Sequence, residues 1–111
     1  MIFVDYIGPG ALFTQLQPRI AAEVGSVMRA QPSSIVVRRF VAEPDPPEIE
    51  IWIELSSDEQ LFRYGRTLAQ GISQGLREVT NADVWVMFRI VPLSQAFLNG
   101  QPRARGHAAF D

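Results

Sequence analysis

The sequence predicts an α/β (α+β) fold of two consecutive β-α-β units, which pack as a four-stranded mixed sheet with two helices on one face. The main observation is an internal repeat, because the second half of the chain matches the first at a shift of 48 or 49 residues. Each copy reads strand, helix, strand, and such a repeat constrains the fold before any single motif does. The length of 111 residues suits one domain. The matched positions are Leu12-Phe13 with Leu61-Phe62, Val24 with Ile72, Met28 with Leu76, Val36 with Val84, Phe40 with Phe88 and Pro44 with Pro92.

The first copy begins with a short apolar strand over residues 2–7, which the Gly-Pro-Gly of residues 8–10 interrupts. A second, β-branched strand is predicted over residues 34–41. The proline-rich residues 43–47 then connect the two copies. We interpret them as a seam inside one domain, because neither copy could bury its own apolar face alone.

A helix is predicted between these two strands, since apolar residues recur at helical spacing up to about Ala30. Pro18 lies inside this pattern, and a proline costs about 3 kcal/mol in a helix interior. We therefore expect the regular helix to start near Gln17, with a looser turn before it.

The second copy has the clearer pattern. Residues 48–55 alternate with period two, which predicts a strand with one apolar face and one face that carries glutamates and Trp52. Ser57 and Gln60 have the spacing of a capping box, with Ser57 at the N-cap. The last strand is predicted over residues 83–91. The stripe that the second helix should bury consists of Leu61, Gly65, Leu68, Ile72, Leu76 and Val79.

The outward faces of the last two strands have an unusual composition. Trp52, Trp85 and Met87 alternate there with Glu50 and Arg89. Aromatic residues mixed with charges favour a subunit interface, with Glu-Arg pairs between subunits. The alternative is that these are single exposed aromatics, which are common on protein surfaces.

The composition excludes several classes of function. There are no Cys and one His, so thiolate chemistry and His-based metal sites are not expected. All ten basic residues are Arg, which excludes a Schiff-base lysine and a P-loop. The net charge of -2 gives no sign of a nucleic-acid or membrane partner. No stretch approaches the roughly 20 apolar residues of a membrane span, and no secretory signal is visible. We expect a cytoplasmic protein that needs no cofactor.

Two sets of residues carry a family resemblance. The first is the helix start Ser57-Asp58-Glu59-Gln60 and the tail Phe97-Leu98-Asn99-Gly100, and the second is Pro18 with the segment from Pro92-Leu93 to Gln101. In their order along the chain, these residues resemble the tautomerase superfamily, which includes 4-oxalocrotonate tautomerase, 5-carboxymethyl-2-hydroxymuconate isomerase and macrophage migration inhibitory factor. The whole chain is similar to small bacterial members with the double unit.

The resemblance covers about residues 1–103 and implies one tautomerase-like domain over residues 1–111. We place repeat one at residues 1–44, repeat two at 46–95 and a C-terminal tail at 96–111. The resemblance further implies a homotrimer with active sites near the N-termini, between subunits. In that family an N-terminal proline moves protons between carbon and oxygen of 2-oxo acids, an Arg holds the substrate carboxylate, and an aromatic lowers the local polarity.

This chain departs from the family at the decisive position, where Ile2 stands in place of the proline. A bulky second residue usually prevents removal of Met1, so the α-amine of Met1 is the candidate base. Pro46, at the start of the second repeat, has an acylated nitrogen and cannot act as one. Proline-dependent tautomerase activity is therefore not expected.

The candidate substrate-binding residues are Arg38, Arg39, Phe97 and Asn99. Arg38 lies two residues beyond the carboxylate-binding Arg of the family pattern, and Arg39 should face the other side of the same strand. Phe97 matches the family's active-site aromatic, or else packs against a neighbouring subunit. Asn99 is a weaker candidate, since Asn99-Gly100 has the composition of a turn.

Other polar residues have simpler interpretations. Asp5 is a possible general base, but a hydrogen-bonded structural carboxylate is the simpler interpretation, and Tyr6 lies beside it on the first strand. Arg103, Arg105 and His107 form a small basic tail that is either solvated or in contact with an anion in a neighbouring site.

Three functions remain open. The first is weak or altered tautomerase or isomerase activity on a small enolisable carboxylate. The second is a non-catalytic trimer that binds a ligand or serves as a scaffold, and the third is a ferredoxin-like binding domain. Strand pairing separates the third from the others, because a tautomerase-like unit pairs its own two strands in parallel whereas a ferredoxin-like sheet is antiparallel.

Overall fold

The computed structural model describes residues 1–103, without the side chain of Leu93. Its two β-α-β units are followed by a small hairpin that the sequence did not predict. Short 3-10 turns lie at Gly10–Leu12, Pro32–Ser34 and Leu93–Gln95. The regular elements are β1 (Ile2–Ile7), α1 (Phe13–Met28), β2 (Ile35–Phe40), β3 (Ile49–Leu55), α2 (Asp58–Arg77), β4 (Val84–Ile90), β5 (Phe97–Leu98) and β6 (Gln101–Pro102).

The main sheet has the strand order β2-β1-β3-β4. Within each unit the two strands are parallel, β1 with β2 and β3 with β4, while β1 and β3 join the units in antiparallel fashion. The predicted four-stranded mixed sheet is therefore confirmed. The ferredoxin-like alternative is wrong, because each helix crosses over between two parallel neighbours.

Both helices cover the same face of the sheet, and the core lies between the helices and the sheet. The alternation predicted for β3 is confirmed, since Ile49, Ile51, Ile53 and Leu55 are all at most 1% exposed. The predicted inner side chains of β4 pack against this core as partly buried residues. From the other elements the core takes Ile2, Val4, Tyr6, Leu16, Ile20, Ala21, Val24, Ile35, Leu68, Ile72 and Leu76.

Helix α1 begins earlier than predicted. It starts at Phe13, so that Pro18 lies inside it, and the expected start near Gln17 is wrong. Leu16 and Ile20 are fully buried on either side of Pro18, whose own ring is exposed. Burial of two such side chains contributes about 3–6 kcal/mol, which outweighs the roughly 3 kcal/mol cost of an internal proline.

Helix α2 begins with the predicted cap in a modified form. The backbone N–H of Gln60 donates to the Ser57 hydroxyl at 3.2 Å, which confirms the N-cap. In a standard capping box the Gln60 side chain would return to the N–H of Ser57. Here its Oε1 accepts from the N–H and hydroxyl of Ser56, at 2.8 and 2.9 Å. Leu61, predicted to be buried, is 36% exposed because it lies at the rim of the core.

A set of local contacts closes the turn after β1. The fully buried Tyr6 donates its hydroxyl hydrogen to the carbonyl of Pro9 at 2.7 Å. The N–H of Gly10 donates to Asp45 Oδ1 at 3.1 Å, which joins this turn to the connector between the units. Burial raises the pKa of the Tyr6 hydroxyl, the Asp45 carboxylate raises it further, and Arg39 partly opposes this increase.

The raised pKa of Tyr6 predicts a loss of stability in alkaline solution. The folded protein holds this proton more tightly than the unfolded chain, so its stabilisation is complete below the unfolded pKa of about 10 and is lost as the pH rises through the folded pKa. Tyr6→Phe should cost about 1 kcal/mol at pH 7 through the lost hydrogen bond and should flatten the decline above pH 10. Urea unfolding from pH 7 to 11 measures both effects, and the comparison of the two proteins cancels the contribution of the groups they share, since the chain has no Lys or Cys and its second tyrosine is present in both. An equally steep decline in the Phe variant would contradict the assignment to Tyr6.

Candidate functional site

The sheet face opposite the helices carries a mixture of charged and aromatic side chains, and we call it the open face. Strand register places its residues in rows, with Arg38, Asp5, Trp52 and Met87 across the middle of the sheet. The members of the open face are Phe3, Asp5, Ile7, Val36, Arg38, Phe40, Glu50, Trp52, Glu54, Trp85, Met87 and Arg89.

Asp5 lies at the centre of an ionic cluster on this face. Asp5 is only 4% exposed. Its Oδ1 accepts a hydrogen bond from Arg38 Nε at 2.8 Å, and its Oδ2 accepts one from Arg89 Nη2 at 2.5 Å. Arg38 is its direct neighbour on β2, whereas the side chain of Arg89 reaches from β4 across β3. Charge-assisted hydrogen bonds of this kind are short and strong. One buried carboxylate therefore fixes two guanidinium groups from different repeats.

Aromatic rings surround both guanidinium groups. The Arg38 guanidinium carbon lies 5.3 Å from the ring centre of Phe3 and 5.6 Å from that of Phe40. That of Arg89 lies 5.9 Å from the ring centre of Trp52. These are cation-π distances, and they restrict the orientation of each guanidinium plane. The two Arg side chains still remain 37% and 41% exposed, so both can reach a bound molecule.

A second carboxylate is buried on the open face. Glu54 is 7% exposed and pairs in register with Arg89 on β4. On β1, the neighbouring strand on the opposite side from β4, Val4 pairs with Ile53 in antiparallel fashion. Phe3, at the start of β1, therefore lies beside Glu54. The alternation of residues 48–55 predicts that Glu54 lies on this face, but it gives no sign that the residue is buried.

The predicted catalytic positions lie at the start of β1. Met1 is half exposed and directly precedes the strand. Ile2 is 1% exposed, and its side chain belongs to the core between sheet and helices. Ile2, where the sequence resemblance would place a proline, thus contributes packing to the core, and the role of the Met1 amine stays a prediction.

The two candidate arginines of β2 face opposite sides of the sheet, as predicted. Arg38 bonds Asp5 on the open face, while Arg39 approaches Gly10 and the Asp45 region on the helix side. The structure therefore does not bring Arg39 together with Arg38.

The candidate residues of the tail lie in the separate β5-β6 hairpin. Asn99 and Gly100 have φ angles of 53° and 82°, which are left-handed values that a two-residue hairpin turn requires. Asn99 is therefore a turn residue. Phe97 is 63% exposed on the hairpin, and its role at a site stays a prediction. Arg103 is exposed at the end of the hairpin, whereas Arg105 and His107 lie outside the described residues.

The glutamates near the tryptophans have partners within the chain. Glu48 accepts from the indole N–H of Trp85 at 2.6 Å, and Glu50 accepts from that of Trp52 at 3.2 Å. These bonds orient both indole rings on the open face. The Glu-Arg pairs predicted between subunits remain a prediction.

Residues 1–103 contain neither a metal-binding cluster nor a membrane-spanning helix. No group of three or more His, Asp or Glu residues there has an arrangement that could hold a metal ion. None of the helices in this part of the chain has the length and apolar character needed to cross a membrane.

Comparison with known proteins gives structural matches only. No protein-family model and no curated protein matches the sequence. A Vibrio cholerae protein of unknown function superposes with a TM-score of 0.74 at 14% identity, over 92% of this chain and 87% of the other. The F6 fused 4-OT asymmetric trimer gives 0.70 at 14% identity, over 98% and 99% of the two chains. A macrophage migration inhibitory factor-like protein from Entamoeba histolytica gives 0.65 at 8% identity, over 92% and 96%.

These matches cover nearly the whole of each chain at low identity. They show that this chain has the tautomerase fold, which confirms the fold that the sequence resemblance implied. The activity of the matched proteins does not follow from the shared fold.

The Asp5 cluster predicts a large effect of a small substitution. Asp5→Asn removes the charge between two guanidinium groups and should lower the free energy of unfolding by about 2 kcal/mol, less than for a fully buried pair because both Arg side chains reach water. The control is Glu78→Gln, which breaks the exposed Arg19–Glu78 pair of 2.6 Å and should cost under about 1 kcal/mol. Urea unfolding at pH 7 measures both, and equal losses would contradict a structural role for the cluster.

Proposed function

We propose that the protein is a homotrimeric tautomerase-like protein that binds a small enolisable carboxylate near the start of β1, with weak proton-transfer activity. The observation that carries this proposal is the Asp5 cluster, in which a buried carboxylate holds Arg38 and Arg89 on the open face. The tautomerase fold supports the same class of ligand.

Arg38 is the main contact for the substrate carboxylate in this proposal. A guanidinium group carries five N–H donors, and Asp5 accepts one of them from Nε. The remaining donors include the terminal pair, which matches a carboxylate in bidentate fashion. Because Asp5, Phe3 and Phe40 already restrict this side chain, less conformational entropy is lost on binding.

The activity in this proposal is weak because residue 2 is not a proline. Ile2 replaces the family proline and is buried in the core, so the secondary amine is absent. The α-amine of Met1, next to the half-exposed side chain of the same residue, is the candidate base that the start of the chain offers in its place. A primary amine can accept a proton from a substrate carbon or enol oxygen.

A non-catalytic ligand-binding or scaffold trimer is the second candidate. It is favoured by the pairing of Arg38 and Arg89 with Asp5, since both cations already have a partner within the chain. It also agrees with the packing role of Ile2. The two candidates differ in whether the pocket can still support proton transfer.

Restoring the proline tests this difference. Ile2→Pro should permit removal of Met1 and expose a secondary amine, whereas the control Ile2→Ala should expose a primary amine with a similar loss of core packing, about 2–4 kcal/mol. We expect Ile2→Pro to ketonise the enol of phenylpyruvate at least ~10-fold faster than Ile2→Ala, measured by ultraviolet absorbance. Rates in both folded variants that do not exceed that of buffer would reject the carboxylate pocket and favour the scaffold.

Native mass spectrometry tests the trimer. We expect a complex of about 37 kDa, which is three chains of 12.4 kDa each. The proposal is supported by the large apolar side chains left exposed on one chain, among them Phe40, Trp85 and Phe97. The denatured mass should show that Met1 is retained. A monomer or dimer would contradict the proposed assembly.

A further inference from the structure

The open face contains two of the least favourable groups to bury in a protein, the carboxylates of Asp5 and Glu54. They are 4% and 7% exposed, and they are the buried charged residues of the described part of the chain. Burial of a charge is costly unless the protein structure compensates for it. A buried carboxylate is therefore more informative about function than an exposed one.

Asp5 is unsuited to proton transfer. Both of its oxygens accept charge-assisted hydrogen bonds from guanidinium groups, at 2.8 and 2.5 Å. Both oxygens are therefore already engaged in holding the two guanidinium groups. Its function is to position Arg38 and Arg89.

Glu54 occupies the neighbouring row, closer to the start of β1. It is flanked by Phe3 on one side and by its register partner Arg89 on the other. Arg38 pairs with Asp5, and Asp5 lies two positions after Phe3 on β1. A ligand carboxylate held by Arg38 would therefore lie next to the row that contains Phe3 and Glu54. The reactive carbon of a small 2-oxo acid, two bonds from its carboxylate carbon, would then face Glu54.

We propose that Glu54, in place of the α-amine of Met1, is the proton-transfer base of this site. The inference rests on the proposed function, since it assumes that a small 2-oxo acid binds there. The Glu54 carboxylate takes a proton from the carbon next to the 2-oxo group, and the C–H electron pair becomes the C=C bond of the enol. The resulting carboxylic acid gives the same proton to the oxygen of the former carbonyl group. No proton is gained or lost overall.

The position of Glu54 suits this reaction. Glu54 is 7% exposed, so most water is excluded from its surroundings. General acid-base catalysis by one positioned side chain typically accelerates a reaction by 10²–10⁴-fold. Glu54 therefore provides a base on the sheet itself, whatever the fate of Met1.

Glu54→Gln tests the proposal, because Gln keeps the shape of the side chain and loses the base. We expect ketonisation of the enol of phenylpyruvate to slow by at least ~100-fold relative to the unmodified protein. The matched control is Glu50→Gln, on the same strand and face, whose carboxylate only orients Trp52 and whose loss should change the rate by less than ~3-fold. A Glu54→Gln protein that is folded and keeps its rate within ~3-fold would overturn the proposal.

Acetylation of the α-amine is a second test of which group is the base, and it needs no substitution. The chain has no lysine, so an acetyl N-hydroxysuccinimide ester modifies its amino terminus as the sole amine. Retention of the rate after acetylation supports Glu54 as the base, and loss of the rate assigns the base to Met1 and overturns the proposal. If the unmodified protein shows no rate above buffer, the proposed function itself fails, and the inference about Glu54 fails with it.

Discussion

The shared carboxylate of Asp5 is the interaction on which the open face depends. Within the sheet, the two repeats meet only where β1 pairs with β3. Asp5 lies on β1 and binds Arg38 from its own repeat and Arg89 from the other. The cluster thus adds an ionic connection between the repeats to the hydrophobic core on the opposite face. Without it, two guanidinium groups would face each other beside the aromatic rings, and their orientation would no longer be fixed.

The fold could be predicted from the sequence because its main signals are periodic. The shift of 48 or 49 residues showed the repeat, and alternation in β3 showed which side chains enter the core. The errors arose where tertiary contacts override local rules. Pro18 stays inside α1 because its buried neighbours hold the helix on the sheet. The Gln60 side chain accepts from Ser56 and not from Ser57, because the partner depends on the path of the chain between β3 and α2.

The site was less predictable, for a physical reason. Alternation alone placed Arg38 and Arg89 among the outward residues, but a period of two does not say which strands are neighbours. Only the strand order shows that both guanidinium groups reach Asp5. Glu54 gave no signal either, because an acidic residue in an outward position reads as solvated until its burial is known.

The strand pairing of this fold does not depend on a proline at the start of the chain. Residue 2 is Ile, whose side chain packs in the core, and the two strands of each repeat pair in parallel. A sheet of this kind brings the start of β1 next to the end of β3, whichever residue begins the chain. Glu54, near the end of β3, therefore lies beside the start of β1. The strand register, and not the terminal residue, therefore fixes which side chains of β1 and β3 are neighbours, so the role that we propose for Glu54 requires no change of topology.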